Sequence, residues 1–313
     1  MSKFKKIISP AILFVAAMMW GFAFSAQDSA SNVPPFTLGA ARSLLASVFL
    51  VSLIPIFDKA KKSDRRFFSK HGIDFNKYEL ISGTICGVTL AVASFFQQTG
   101  INQGTDAGKA AFITALYVVL VPVYALALKK KSPLRVWISV VIAIVGFYFL
   151  CIDGEFNVAL SDIYVLLCAI VFPVQILAID VFTDRCDGLR MSSVQFITAT
   201  LVNIILALIM EMPIAFSEIG ASIGAILFLG IVSSGIAYTM QIIGQRGTNP
   251  AVASVIMSLE SVFGVIGAAI FLNQSLSPRE YIGAAVVFFA VLLSQIDVKA
   301  IFKPKSKNKE NEN

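Results

Sequence analysis

The amino-acid sequence predicts an all-α polytopic membrane protein in which ten transmembrane helices form two inverted five-helix repeats. Three observations lead to this fold class. Ten apolar runs of membrane-spanning length follow one another along the chain. The charged residues gather in the short segments between those runs, and Lys and Arg favour alternate segments. Part of the first half also recurs in register in the second half.

The composition of this 313-residue chain is that of a membrane protein. Hydrophobic residues make up 57% of the chain and charged residues only 14%, and the mean hydropathy is +0.81. A soluble domain is about 25% charged. The net charge of +6 could suggest nucleic acid as a partner. The positive charges lie in short loops, however, where rules for membrane orientation predict them, so we expect a lipid bilayer and no nucleic acid.

Each of the five runs in the first half has about the 20 residues that a helix needs to cross the bilayer. The first run follows a basic start and precedes small residues, so a signal peptide is the alternative; we favour a span because removal would break the five-plus-five symmetry. Gly83, Gly87 and Ala91 predict a packing seam on the third run. Arg42 and Lys109, near the starts of the second and fourth runs, are expected to reach the outer interface by snorkelling. The runs lie near 8–26, 36–57, 78–99, 107–128 and 133–152.

Five further runs occupy the second half. In the eighth run of the chain, Tyr238, Gln241 and Gln245 share one face of a helix. The ninth run carries one carboxylate, Glu260, near its middle. A charged side chain at that depth costs roughly 2.5–3.5 kcal/mol, so we expect Glu260 to face protein or a wet cavity. The runs lie near 161–183, 191–212, 219–243, 250–272 and 279–297.

The distribution of Lys and Arg orients the chain in the membrane. With the N-terminus inside, 22 of the 25 basic residues fall in cytoplasmic segments. The three exceptions are Arg42, Lys109 and Arg279. Because the number of spans is even, both termini are expected to be cytoplasmic.

An internal repeat relates the two halves. The segment Gly104–Asp106 aligns with Gly247–Asn249 at an offset of 143 positions, and the same offset places Leu116 with Leu259. Because each half has an odd number of helices, the second copy must enter the membrane inverted. Inverted repeats are the architecture of many secondary transporters, with the substrate site near the midplane between the halves. The sequence therefore predicts a transporter; a structural duplication without transport is the alternative.

Polar and aromatic side chains deep in the runs mark positions that could line a central cavity. Tyr117 and Glu260 correspond in the repeat alignment, so we expect both to face one central space. For any single Tyr or Gln, a hydrogen bond between helices explains the residue equally well. The positions are Trp20, Gln27, Gln97, Gln98, Tyr117, Gln175, Asn203, Tyr238, Gln241 and Glu260.

The sequence carries no signature of an enzyme. There is no Walker loop, no GxSxG and no HExxH motif, and no Cys or His spacing of a metal site. We therefore predict that the protein is not an enzyme and takes no cofactor or metal. Uphill transport would then draw on substrate exchange or on an ion gradient, with H⁺ as one candidate coupling ion.

Several segments carry a resemblance that covers nearly the whole chain. They are MMWGFAF, RSLLASVFL, GKAAFITALYVVLVPVY, SGIAYTMQIIGQRGTNPAVASVIMSLESVFGVIGAAIFL and YIGAAVV. In these segments the chain resembles the drug/metabolite transporter (DMT) superfamily, and within it the EamA-type permeases of bacteria. The third and fourth segments are the specific ones.

The resemblance implies two EamA repeats, at 8–152 and 161–297, and a basic cytoplasmic tail at 298–313. It implies a multi-pass protein of the bacterial inner (cytoplasmic) membrane. The function would be secondary active transport, by export or exchange, of a small organic metabolite such as an amino acid, an amine or a drug, through alternating access. A non-transporting scaffold or receptor is the alternative, and a homodimer is left open.

The same resemblance implies that the first, third, fourth, sixth, eighth and ninth helices line the central cavity. Glu260 would bind a cationic group or carry a proton, and the sequence does not separate these roles. The candidate substrate residues are Trp20, Gln97, Tyr117, Gln175, Tyr238, Gln241 and Glu260.

Overall fold

A computed structural model describes residues 3–60, 68–69, 72–151, 159–214, 216–272 and 277–295. The predicted tail at 298–313 lies outside these residues. Helices dominate the described chain, and two two-residue strands, β1 (Phe68–Ser69) and β2 (Gly72–Ile73), form a minimal antiparallel pair. A 3₁₀ turn covers Thr183–Arg185 and a π-helical segment covers Phe228–Ala237. The α-helices are α1 Lys3–Ser29, α2 Pro35–Ala60, α3 Lys77–Asn102, α4 Ala107–Ala115, α5 Tyr117–Ala127, α6 Leu134–Cys151, α7 Leu160–Phe182, α8 Gly188–Met210, α9 Phe216–Ala221, α10 Ile223–Leu227, α11 Tyr238–Gln245, α12 Pro250–Met257, α13 Glu260–Phe271 and α14 Pro278–Gln295.

Helices occupy all ten predicted apolar runs. Within the described chain, eight helical stretches are long and apolar enough to cross a membrane. The fifth and tenth runs form α6 and α14, whose apolar stretches, Leu134–Phe149 and Tyr281–Ser294, are shorter. The protein is thus a helical, multi-pass membrane protein, and a count of ten transmembrane helices stays a prediction.

Two of the predicted single helices are broken in the middle. The fourth run divides into α4 and α5 at Leu116, and the ninth divides into α12 and α13 at Leu259. Both leucines have nearly the same backbone angles, with φ/ψ of −61°/−13° and −59°/−13°. Each donates its N–H to the carbonyl three residues earlier, at 3.2 Å. The break therefore recurs at the offset of the internal repeat.

The turns that precede the broken helices also match. Gly104 and Gly247 have positive φ angles, of 104° and 76° respectively. A residue without Cβ adopts this region without strain, which allows the chain to reverse direction within a few residues. The sequence repeat therefore coincides with a repeat of backbone geometry.

The eighth predicted run is not a uniform helix either. It begins as α9 and α10, continues through the π-helical segment, and ends as α11. A π-helical stretch widens the turn and changes which side chains share a face, and such stretches are frequent at functional sites. The hydroxyl residues Ser233 and Ser234 lie in this stretch and are buried.

The two halves of the chain interlock. The most extensive helix pairs are α3 with α7, α6 with α14, α2 with α8, α3 with α8 and α1 with α13, and each pair joins a helix before residue 152 to one after residue 159. Small residues permit the close approach: a Cβ on Gly83 would lie 2.6 Å from the Cβ of Val194, and one on Gly87 would lie 2.4 Å from the carbonyl oxygen of Gln195. The cavity described below is therefore enclosed by both halves together.

Ion pairs and backbone contacts tie several helix ends together. Arg190, at the start of α8, is 3% exposed and bonds both carboxylate oxygens of Asp58 on α2, at 3.1 and 2.8 Å. This bidentate geometry is among the stronger arrangements available to a buried charge. Arg246, after α11, donates to the carbonyl oxygens of Thr183 and Cys186. These contacts tie together the C-terminal ends of α2, α7 and α11 and the start of α8.

Candidate functional site

A central cavity collects all seven candidate residues of the sequence analysis. It has an empty volume of about 460 Å³. Helices from both halves contribute to its wall, and so does the π-helical segment. The candidate residues in the wall are Trp20, Gln97, Tyr117, Gln175, Tyr238, Gln241 and Glu260. Their placement around one space is an observation, and their role in binding substrate stays a prediction.

Glu260 and Tyr117 occupy equivalent places beside the two helix breaks. Tyr117 is the first residue of α5 and Glu260 is the first residue of α13. Both side chains are buried and line the central cavity. The backbone beside the second break stays hydrogen-bonded, because Ser261 N–H donates to the carbonyl of Ser258 at 3.1 Å and Phe263 N–H donates to that of Leu259 at 3.0 Å.

One oxygen of the Glu260 carboxylate is left without a protein partner. Its Oε1 accepts no hydrogen bond from any residue that the structure describes, although the side chain is only 5% exposed. Among the same residues Glu260 forms no ion pair. A buried carboxylate normally has its lone pairs satisfied, so this oxygen is available to a ligand in the cavity.

An aromatic group forms one wall of the cavity. The rings of Trp20 and Tyr238 are 4.7 Å apart, and Phe196 meets Tyr238 edge-on at 5.6 Å. The indole N–H of Trp20 donates to the carbonyl oxygen of Ser233 at 3.1 Å. The N–H bond fixes the indole, so the wall is rigid and presents apolar faces to the cavity.

The glutamines in the wall bond mainly to protein groups. Gln175 and Gln241 exchange two hydrogen bonds, each of 3.2 Å. Gln97 donates to the hydroxyl of Thr114 at 3.0 Å. Hydrogen bonding between helices, the alternative considered from the sequence, thus accounts for part of what these side chains do. The third member of the polar face on α11, Gln245, does not line the cavity and points toward the carbonyl of Ile176.

Arg42 was missed as a cavity residue. The prediction that it snorkels to the outer interface is wrong, because the side chain is 7% exposed and lines the cavity. Its Nε donates to the hydroxyl of Ser234 at 3.1 Å and its Nη2 to the hydroxyl of Ser233 at 3.4 Å. The sequence does hold a signal: Arg42 stands in the small-residue stretch GAARS, which lets α2 approach the helices that pack against it.

Lys109 differs from Arg42 in its surroundings. It pairs with Asp162 on α7 at 2.6 Å while its side chain stays 35% exposed. Asp162 also accepts from the hydroxyl of Thr105 at 3.0 Å and from the N–H of Ala159 at 2.9 Å. Lys109 therefore joins α4 to the start of α7 and does not enter the cavity.

Among the described residues, His, Cys, Asp and Glu form no group of three that could hold a metal ion.

Comparisons with known proteins agree with this architecture. A sequence relative from Archaeoglobus fulgidus, described as an uncharacterized transporter, is 27% identical over 300 residues, covering 94% of this chain and 88% of that protein. Another uncharacterized transporter, from Methanothermobacter thermautotrophicus, is 22% identical over 277 residues, covering 84% of this chain and 78% of the relative. A solved crystal structure shares the fold with a TM-score of 0.74 at 16% identity, covering 94% of this chain and 99% of that chain.

The family assignment rests on a match over both halves of the chain. The model of the EamA-like transporter family matches residues 8–152 and again residues 159–295. The resemblance noted from the sequence segments is thereby confirmed, and it implies a small-molecule substrate and a lipid bilayer as partners. The chain is a membrane transporter with buried polar groups around a central cavity, and it belongs to the EamA-like transporter family.

Proposed function

We propose that the protein is a secondary active transporter that moves a small organic solute by alternating access around the central cavity. The two halves would rock about this cavity and open it to one side of the membrane at a time. The lining supports this proposal, because Trp20, Gln97 and Tyr117 come from the first half and Gln175, Tyr238 and Glu260 from the second. A motion between the halves would therefore rearrange the whole site.

The observation that carries the proposal is the buried carboxylate of Glu260 with one unpartnered oxygen in the cavity. A charged group inside a membrane is costly and marks pathways for ions or substrates. Glu260 either binds a cationic group of the solute or carries a proton as the coupling ion. Both roles require the carboxylate, and a hydrogen-bond partner alone would not replace it.

The proposed architecture has two inverted repeats, at 8–152 and 161–297, with ten spans. The matching breaks at Leu116 and Leu259 support this division, as do the two glycines with positive φ. Both termini would then be cytoplasmic. The relatives named above are archaeal, so a bacterial inner membrane stays a prediction, as does a homodimer.

The proposal is tested by flux measurements in proteoliposomes. Vesicles with an imposed pH gradient are offered a labelled panel of amino acids, polyamines and the cationic dye ethidium. We expect the wild-type protein to accumulate at least one member, and Glu260→Gln to reduce its rate by about 100-fold, the equivalent of losing roughly 2.7 kcal/mol of interaction.

A matched control makes the same change at an acid outside the cavity. Glu218 on α9 does not line the cavity, so Glu218→Gln should leave the flux unchanged. Wild-type vesicles that accumulate no member of the panel would favour the non-transporting scaffold. Unchanged and still pH-dependent flux in Glu260→Gln would remove Glu260 from the mechanism.

A further inference from the structure

We infer that the transported solute is a small zwitterion, whose anionic group binds Arg42 and whose cationic group binds Glu260. This inference rests on the proposed function, because it takes the cavity to be the substrate site. It adds a class of substrate and assigns a recognition role to Arg42, a residue that the repeat alignment does not single out.

Arg42 offers a binding site for an anion. Its guanidinium has five N–H donors, and the two hydroxyls that it contacts are neutral acceptors. It forms no ion pair with any carboxylate that the structure describes. A guanidinium matches a carboxylate in planar, bidentate geometry, and a charge that is 7% exposed gains most from such a partner.

Arg42 lines two spaces. Besides the central cavity, the residue borders a narrow void between α2, α3 and α8 that admits little more than one water molecule. The wall of this void includes the polar side chains of Ser43, Ser94 and Asn203. A bound anionic group would therefore reach the guanidinium from the central cavity.

The acceptors for a cation lie in the same central cavity. The side chains of Glu260 and Gln27 both line this cavity. The Oε1 atom of each has no hydrogen-bond partner among the described residues. An ammonium group has donors but no acceptor, so it fits a site with free oxygens.

The charges of the cavity favour a solute that carries both signs. Arg42 and Glu260 both line the central cavity, and among the described residues they form no ion pair with each other. A solute with only a cationic group would leave Arg42 uncompensated, and one with only an anionic group would leave Glu260 uncompensated. Leaving one buried charge unpaired is strongly unfavourable. A zwitterion satisfies both charges and adds no net charge to the cavity.

The first experiment needs no variant of the protein. The purified wild-type protein is tested by thermal unfolding in detergent against the standard L-α-amino acids and taurine. Each zwitterion that stabilises the protein is compared with its methyl ester or amide, which lacks the anionic charge, and with its N-acetyl form, which lacks the cationic charge. We expect both derivatives to bind about 10- to 100-fold more weakly, as is usual for loss of a hydrogen-bonded charge.

The second experiment assigns the anionic group to Arg42. Arg42→Gln should lose the preference for the zwitterion over its ester while keeping the preference over the N-acetyl form, and Arg42→Lys should restore part of the first preference. Ser52→Ala, an exposed change on the same helix, serves as the control. If Arg42→Gln does not fold, the comparison of derivatives on the wild-type protein still decides the inference.

The two proposals fail in different ways. If no zwitterion stabilises the protein, or if the esters bind as well as the parent compounds, the inference is overturned. Flux of a polyamine or ethidium that depends on Glu260 would then leave the proposed function standing. A complete absence of flux would instead remove the proposed function, whatever binds to the purified protein.

Discussion

The two broken segments, 104–127 and 247–271, share a backbone but differ in chemistry. Each begins with a glycine at positive φ, and each is divided at a leucine with nearly the same backbone angles. The first residue after the break is Tyr117 in one segment and Glu260 in the other. The fold thus repeats a geometry that places a side chain in the wall of the central cavity, and only in the second segment is that side chain a carboxylate.

The hydroxyl groups near the breaks differ as well. Ser254 and Ser258 each donate to the carbonyl three residues earlier, at 2.9 and 2.8 Å. The corresponding positions in the first segment are Ala111 and Ala115, which have no such group. Serine bonding to the carbonyls of the preceding turn is one known cause of helix bending. Because the first segment breaks without it, serine cannot be the general cause of the break.

The largest expected effect comes from exchanging the two central residues. Tyr117→Glu should place a second carboxylate beside Glu260, and Glu260→Tyr should remove the only carboxylate of the pair. We expect each single change to reduce flux of the accumulated solute by about 100-fold, and the double exchange to recover about 10-fold, since it restores one phenol and one carboxylate. Uptake into proteoliposomes measures all three variants.

Recovery in the double variant would show that the two positions are functionally interchangeable, which would support the proposed inverted repeat. If the double variant takes up solute no faster than either single variant, the two segments are equivalent in backbone geometry only. Equal amounts of protein in the vesicles, checked by gel, are needed before the rates are compared.

Much of this comparison could be predicted from the sequence, because apolar length and in-register repetition are properties of the chain itself. The helix positions and the correspondence of Tyr117 with Glu260 follow from those properties. The breaks could not be predicted, since an apolar run shows no sign of where its hydrogen bonds change partner. Arg42 was misplaced for a related reason: sequence gives its depth along α2 but not the face that meets the π-helical segment.

A smaller effect, on stability, should come from the packing around the second break. A Cβ on Gly21 of α1 would lie 2.3 Å from the Cβ of Phe263 and 2.8 Å from the carbonyl oxygen of Glu260. The backbone of α13 cannot move away freely, so Gly21→Ala should destabilise the protein by about 1–3 kcal/mol. The midpoint of thermal unfolding in detergent measures this change.

The matched control for this prediction is Gly108→Ala in the first segment. Its Cβ would meet only Val265, at 3.6 Å, which is ordinary contact. The equivalent position of the second segment is already alanine, at Ala251. We expect Gly108→Ala to leave stability unchanged or raise it by up to about 1 kcal/mol, since alanine favours the helix. If Gly21→Ala and Gly108→Ala lower the midpoint of thermal unfolding equally, then α13 does not pack more tightly against α1 than against α4.

The smallest effect is expected from making the second break resemble the first in its hydroxyl groups. Ser254→Ala with Ser258→Ala gives α12 the residues found at Ala111 and Ala115. Each serine bonds within its own helix, and even hydrogen bonds between helices contribute on average only about 0.6 kcal/mol in a membrane protein, so the unfolding midpoint should fall by no more than about 3 °C. Ser47→Ala in the unbroken helix α2 removes one bond of the same kind, to the carbonyl oxygen of Leu44 at 2.8 Å, and should cost about half as much. If the double variant loses far more than this control, the serines hold the second break in place, and the two segments reach one geometry by different physical means.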